Sequence, residues 1–340
     1  MSKKDIAIYG SGAIGLDLGV HLIEAGHRVS FIARSETKTK LVSSGIIYQS
    51  VQQPRTVKPN QFFCTDDTST LSSQDYVFLT IKADDLLEIA KCLEPLIGQD
   101  TVVISATNGI PPWYSYLQDR TIGRFLDNTG PRDEFLKHIP GEKIVGAAIE
   151  RSVTRSNGNE VCHNSGSGYV IGELSHVVER RTLELKSVLE GAGLSADISD
   201  NIHRDIWLKL MGNIFVNPLS VLTEHTIGEM MNDPKVLSRA TKMVEETLKV
   251  GLHLGVISAN DFDMEALVTR CRGRLTNHET SMLRDYKNGN KIELHRIVEV
   301  VIMLAELPGV NIPVPEVKSV REDVLRKLGA RQMKASRTGN

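Results

Sequence analysis

At 340 residues the chain is long enough for two domains, each with its own core. Hydrophobic residues make up 41% and charged residues 24%, an ordinary globular composition; a net charge of −2 argues against a nucleic-acid or polyanion partner. Cys64, Cys92, Cys162 and Cys271 are scattered without a Cys-x-x-Cys pair, which favours reduced thiols in a cytoplasmic setting over a disulfide framework or a zinc site. No stretch reaches the roughly 18 uninterrupted apolar residues of a membrane span, and the basic start lacks a signal-peptide core, so neither is expected.

Residues 5–8 read as a buried strand, Leu16 to Ala25 as a helix, and Arg28 to Ala33 as a second strand. Between strand and helix lies Gly10-Ser11-Gly12-Ala13-Ile14-Gly15, a Gly-x-Gly-x-x-Gly run in the strand–helix–strand context that gives it meaning. Gly10 suits the tight turn, Gly12 lets backbone approach a pyrophosphate, and Gly15 lets helix and strand pack closely. The second strand ends at Arg34 instead of an acidic residue, with Lys38 and Lys40 close by. A guanidinium there can hold a ribose 2′-phosphate, so NADPH is favoured over NADH.

Residues 41–73 read as an irregular or strand-rich excursion. Tyr76 to Ile81 and Thr101 to Ser105 are further strands, followed by Lys82 and by Asn108. Ligands of open α/β sheets sit beyond the carboxyl ends of strands, which marks both residues as candidates. Pro111-Pro112-Trp113-Tyr114 could wall a pocket or simply pack. Two β-like segments, Lys143 to Ile149 and Glu160 to Ile171, flank the turn 156–159, and an amphipathic helix over Glu179 to Glu190 precedes a last strand at Leu194 to Ile198. The pattern then turns helical, which places a domain boundary near residue 200.

The helical half opens on an apolar helix whose polar exceptions are Lys209, Asn213 and Asn217. Their four-residue spacing makes one stripe. A lysine among apolar neighbours needs a partner or a lowered pKa, or else snorkels to the surface. Pro218 should bend or end this helix near Asn217. Pro234 to Leu254 and Asp261 to Arg274 are further helices, and the last long one is expected from about Ile292 to Leu307, with Glu293 in its first turn. Positions 329–340 are polar and expected to fray as a flexible tail.

Several segments together resemble the ketopantoate reductase (2-dehydropantoate 2-reductase) family: GSGAIG with AGHRVSFIAR, TIKADDL, TNGI, the IGE near residue 172, WLKLMGNIFVNPLS and TSMLRDYKNGNKIE. The resemblance implies an α/β N-terminal Rossmann-like dinucleotide-binding domain over 1–200, followed by an all-α substrate and catalytic domain over 201–328. It implies NADPH-dependent reduction of a 2-oxo acid to a 2-hydroxy acid, ketopantoate to pantoate in pantothenate biosynthesis being the first choice. It assigns Lys209 as general acid and Glu293 as a catalytic carboxylate close to cofactor and substrate. Asn213, Asn217 and Ser281 would contact substrate, with Lys82 and Asn108 at the nicotinamide side and Asn108 reaching substrate as well.

The chain departs from the family pattern at Leu294-His295, Val298-Glu299, Ile227 and Pro315-Glu316. Those departures leave the substrate open to another oxo acid. A catalytically silent NADP-binding sensor is the reading from a different class, and the intact Lys209, Asn213, Ser281 and Glu293 set argues against it. No metal is implied, and a homodimer is left open.

Overall fold

A computed structural model describes residues 2–50, 54–115, 131–273 and 276–338. The chain divides into two compact units and passes from one to the other between Asp205 and Ile206.

The first unit begins as the sequence pattern requires, with β1 (Asp5–Tyr9), α1 (Ala13–Glu24) and β2 (Arg28–Ile32). It continues through α2 (Ser35–Ser44), β3 (Ile46–Gln49), β4 (Arg55–Val57), β5 (Phe63–Thr65), β6 (Tyr76–Leu79), α3 (Leu86–Ile89) and β7 (Val102–Ser105). After α4 (Pro131–His138) come β8 (Ile144–Ile149), β9 (Ser152–Ser156), β10 (Glu160–Ser165), β11 (Gly168–Glu173), α5 (Arg180–Gly191) and β12 (Ser195–Ile198).

Eight strands form one sheet in the order β12-β11-β8-β7-β6-β1-β2-β5. From β8 to β5 all pairs are parallel, and β11 runs antiparallel to β8. Strands β6, β7 and β8 are buried along their whole length, the mark of a parallel sheet covered on both faces. The strand order reverses at β1, so the switch-point crevice lies beyond the carboxyl ends of β1 and its neighbours.

A second sheet, β4-β3-β10-β9, holds four strands. The two β-like segments expected over 143–171 are therefore four strands, divided between the two sheets. Short turns at 150–151 and 166–167 break the apolar runs, and β3 pairs with β10 across more than a hundred residues of chain. The segment Trp113-Tyr114 packs, with both side chains fully buried. β6 ends at Leu79, two residues before the expected end. Thr80 turns away there, its amide donating to the Tyr9 carbonyl at 2.9 Å and its hydroxyl to the Gly10 carbonyl at 2.6 Å.

The second unit is helical. It takes up α6 (Ile202–Thr223) from Ile206 onward, then α7 (Ile227–Asn232), α8 (Pro234–His253), α9 (Met264–Arg272) and α10 (Ser281–Asn288). A π-helical turn (His295–Glu299), α11 (Val300–Ala305) and α12 (Pro315–Thr338) complete it. Start signals are local. Thr226 and Glu229 form a reciprocal capping box, and Asp233 caps α8 with Pro234 in its first position. The buried Glu246 carboxylate accepts from the Glu316 and Val317 amides, each at 2.9 Å, and so caps α12 from a neighbouring helix.

Three expectations change here, the first in part. Of the two outcomes expected at Pro218, a bend or an end, the helix does not end there; it runs on to Thr223. One lost backbone bond is outweighed by burial of Leu219 and Val221 beyond it. Glu293 precedes the last helical stretch instead of lying in its first turn, and that stretch opens as a π turn. α12 extends through positions 329–338, where fraying was expected. Arg331 holds it there, stacking 4.6 Å from the Tyr286 ring and donating to the Lys287 carbonyl at 3.0 Å. By length and mean hydropathy (1.2) α6 could cross a bilayer, yet 67% of its apolar window is buried in the protein, as in a core helix.

Candidate active site

Pairing within the large sheet puts Tyr9 beside both Ile32 and Leu79, Leu79 beside Ser105, and Ser105 beside Gly146. The segments that follow these residues therefore emerge at one edge. The glycine loop leaves β1, Arg34 follows β2, Lys82 follows β6 and Asn108 follows β7. The structure thus brings together every nucleotide-side residue expected from sequence: Gly10, Ser11, Gly12, Ala13, Ile14, Gly15, Arg34, Lys82 and Asn108.

The three loop glycines have different causes. Gly10 has φ +110°, and a Cβ there would lie 2.6 Å from Ile81 Cγ2. A Cβ at Gly15 would run into the Gly10 carbonyl oxygen. Both are glycine because of the protein's own packing. Gly12 is the N-cap of α1 with φ −79°, a conformation open to any residue, and a Cβ there would meet nothing within 4 Å. Serine, threonine, aspartate or asparagine would cap better. No side chain caps α1, and its first turn carries no acid, so the helix N-terminus is left open for an anion. The donor set and the free approach over Gly12 fit a dinucleotide pyrophosphate.

At the end of β2, the Arg34 guanidinium donates to the Tyr9 hydroxyl at 3.0 Å, which raises its pKa. The two neighbouring lysines are otherwise engaged, Lys38 with Asp66 at 2.7 Å and Lys40 with Glu36 at 2.8 Å. Lys82 is half-buried. Asn108 is half-buried and its side chain has no hydrogen-bond partner among the described residues. The Ser105 and Thr107 hydroxyls, buried beside it, also lack partners among the described residues. The sequence does not mark these two, since a serine or threonine at a strand end gives no signal of its own.

In the second unit, Lys209 and Asn213 are half-buried on α6 and Asn217, two turns on, is 5% exposed. The two asparagine side chains make no hydrogen bond among the described residues. The rest of this helix is core, with Trp207, Met211, Phe215 and Val221 fully buried. Ser281 is exposed at the first position of α10, whose N-cap Thr280 accepts from the Leu283 amide at 3.0 Å. Thr280 Oγ1 lies 2.6 Å from the Ser220 hydroxyl, and that hydroxyl donates to the Asn217 carbonyl at 2.7 Å. This chain of bonds ties the start of α10, and so Ser281, to the Asn217 end of the stripe. Glu293 stands half-buried just before the π turn. Within that turn His295 and Glu299 are 3.1 Å apart, and Glu299 pairs with Arg321 at 2.6 Å. A surface concavity of about 660 Å³ opens beside them, and none of the candidate residues lines it.

A doubly wound sheet with an open glycine loop, joined in one chain to a helical unit that carries a half-buried lysine and unpartnered amides, describes a dinucleotide-dependent oxidoreductase acting on CH–OH groups. Residues 6–176 match the family described as "Ketopantoate reductase PanE/ApbA", and residues 201–317 match "Ketopantoate reductase PanE/ApbA C terminal". The chain belongs to the ketopantoate reductase family, whose members reduce 2-oxo acids.

A 2-dehydropantoate 2-reductase of Mesorhizobium japonicum is 29% identical over 319 residues, covering 93% of this chain and 95% of that one. A crystal structure titled as a putative ketopantoate reductase from Ralstonia solanacearum MolK2 superposes with a TM-score of 0.87 at 27% identity, over 97% of this chain and 99% of the other. The fold is also that of a D-mandelate dehydrogenase solved with NADH and anilino(oxo)acetate, with a TM-score of 0.80 at 21% identity, over 96% and 98% of the two chains.

Proposed function

We propose that this protein reduces 2-dehydropantoate to pantoate with NADPH, as a cytoplasmic step of pantothenate biosynthesis. The observation that carries the reading is the stripe on α6: a half-buried lysine and two asparagines without side-chain partners among the described residues, on a helix otherwise given over to core. Neither amide is taken up by a protein partner among the described residues, so both are available to a ligand. The likeness to the Mesorhizobium 2-dehydropantoate 2-reductase over nearly the whole chain supports the same substrate.

NADPH, when bound, supplies the hydride. The protein's part is to hold the 2-oxo acid and manage charge. Hydride arrival at the carbonyl carbon builds negative charge on its oxygen, and the Lys209 ammonium donates the proton that this oxygen takes up. Asn213, Asn217 and Ser281 hold the carboxylate and hydroxyl groups of the substrate through neutral donors. Glu293 is the catalytic carboxylate close to cofactor and substrate. At the sheet edge, Gly10 to Gly15 receive the pyrophosphate, Lys82 and Asn108 fix the nicotinamide end, with Asn108 also reaching substrate, and Arg34 meets the 2′-phosphate.

NADPH oxidation followed over a panel of 2-oxo acids tests this. Ketopantoate should give the highest kcat/KM, and a higher value for an aromatic or opine-type oxo acid would replace the substrate. That second reading has a specific support: the π turn and its His295–Glu299–Arg321 cluster occupy the positions where the chain leaves the family pattern. The D-mandelate dehydrogenase fold shows an aryl oxo-acid analogue held by a protein of this architecture. Arg34→Ala should weaken NADPH about tenfold while leaving NADH nearly unchanged, because only the former carries the 2′-phosphate. A homodimer is part of the proposal, since a Staphylococcus aureus neighbour at 17% identity is titled dimeric; sedimentation of the full chain checks it.

A further inference from the structure

The cations around the ends of β1 and β2 fall into two groups. Lys38 and Lys40 are matched by Asp66 and Glu36. Arg34 and Arg155 make no ion pair with a carboxylate among the described residues, although Asp85 acts on Arg34 from further off. Arg155 arrives from an unexpected direction. It lies on β9 of the small second sheet, outside the doubly wound framework.

Its Nη1 donates to the Ser11 carbonyl at 2.7 Å and to the Thr37 hydroxyl at 3.4 Å. Ser11 is in the glycine loop and Thr37 in the first turn of α2, so the guanidinium spans the two segments that leave β1 and β2. Both protein contacts use one nitrogen, which leaves the Nε and Nη2 hydrogens of the planar fork open among the described residues. The side chain reaches solvent, yet neighbouring protein desolvates the charge and lowers its pKa. Arg151, four residues earlier, shows the contrast. Its guanidinium is closed by a bidentate bond to Asp17, with 2.7 and 2.8 Å contacts. A cation that is partly desolvated, half-used and without a countercharge is arranged for an anion delivered from outside.

We propose that Arg155 is a second reader of the cofactor's 2′-phosphate, acting together with Arg34. The phosphomonoester of a 2′-phosphorylated dinucleotide belongs at the carboxyl end of β2, where Thr37 and Arg34 already stand. Each guanidinium can pair two N–H donors with phosphate oxygens, so two of them satisfy more of the phosphate's acceptors than one. The small sheet then has a function: it delivers a specificity residue to the nucleotide edge. This assignment rests on the NADPH reading above.

Fluorescence titration of the full-length protein with NADPH and NADH separates the outcomes. Arg155→Ala should weaken NADPH by about tenfold and NADH by less than about twofold. Arg155→Lys should recover part of the loss, and Arg155→Gln, which keeps a donor for the Ser11 carbonyl without the charge, should behave like alanine. Equal weakening of both cofactors would overturn the assignment, making Arg155 a brace for the loop or a pyrophosphate contact. No weakening of either would overturn it too. A wild-type protein that binds NADPH and NADH equally would remove the NADPH reading itself. Wild-type selectivity that survives all three variants would remove only the role of Arg155. Inhibition by 2′-AMP against 5′-AMP makes the same distinction without the nicotinamide: the variants should lose 2′-AMP alone.

Discussion

The nucleotide edge of the first unit works largely through backbone. Two of its loop glycines are imposed by close packing against Thr80, Ile81 and the Gly10 carbonyl, and the third leaves space over an uncapped helix end. The stripe of the second unit works through side chains, a lysine and two amides on a helix whose remaining faces are core. A backbone site is hard to alter by substitution except at glycine, and it reads a feature shared by all dinucleotides. A side-chain site is altered by any substitution, and it sets the chemistry. The prediction that separates them most is Lys209→Ala. It should lower kcat by about 10²–10⁴, the usual contribution of a positioned acid, while leaving NADPH affinity within about twofold. Parallel loss of cofactor binding would make Lys209 a structural residue and erase the contrast.

The first unit also contains a polar element that carries no chemistry. Asp17 on α1 is fully buried and is held by Arg151 and by the Tyr48 hydroxyl at 2.8 Å. Burial and the Asp17 charge push the Tyr48 hydroxyl out of titrating range, so it serves here as a donor. Removing one partner of a buried pair leaves the other charge uncompensated. Asp17→Asn should therefore cost about 3–5 kcal/mol of stability in chemical denaturation. Lys209→Ala, on a half-buried position, should cost far less. A small loss for Asp17→Asn would mean that water reaches the Arg151 guanidinium.

A finer cut runs within the glycine loop itself. Gly15→Ala drives a methyl into the Gly10 carbonyl and should destabilise by about 1–3 kcal/mol. Gly12→Ala adds a methyl to empty space at φ −79° and should leave the melting temperature unchanged while weakening dinucleotide about tenfold. If Gly12→Ala binds cofactor normally, the pyrophosphate does not pass over Gly12.

How much of this is legible in the sequence follows from how local each cause is. The glycine loop, the buried parallel strands and the Lys209 stripe are written in short spacings, and each can be read from them. The second sheet cannot, because β3 and β4 span four and three residues and β3 finds its partner in β10 far along the chain. For the same reason nothing marks Arg155 or the Asp17–Arg151 pair: each joins positions more than 130 residues apart. Pro218 does not end α6, because the burial of Leu219 and Val221 after it outweighs the lost backbone bond. The π turn at His295–Glu299 has no sequence signature at all, and Glu293 lies just before the helical stretch that contains it.

The smallest expected effect concerns a pair of histidines on neither site. His203, fully buried in the first turn of α6, meets His176 Nε2 at 2.8 Å through its Nδ1, and its own backbone carbonyl accepts from the Tyr114 hydroxyl at 2.7 Å. The groups around it are Asp200, Arg204 and Asp205 on its own loop and helix, Tyr114 from the 112–115 turn, and His176 after β11. Burial, and then the neighbouring His176, push the His203 pKa down to about 3. The folded protein therefore holds His203 neutral where an unfolded chain would protonate it near 6.5. A depressed value contributes full stability above 6.5, and that stability drains away as pH falls toward the folded pKa. Between pH 7 and 5 the loss from this one group is about 2 kcal/mol. Denaturation of wild type and His203→Phe at pH 7, 6 and 5 should show the variant's stability falling less steeply by that amount. Both should keep a residual slope from His21, His27, His176 and His278, all lowered by burial. Identical slopes would mean that His203 is protonated in the fold, with His176 as its acceptor, and the acid sensitivity of the first unit would then lie in the other histidines.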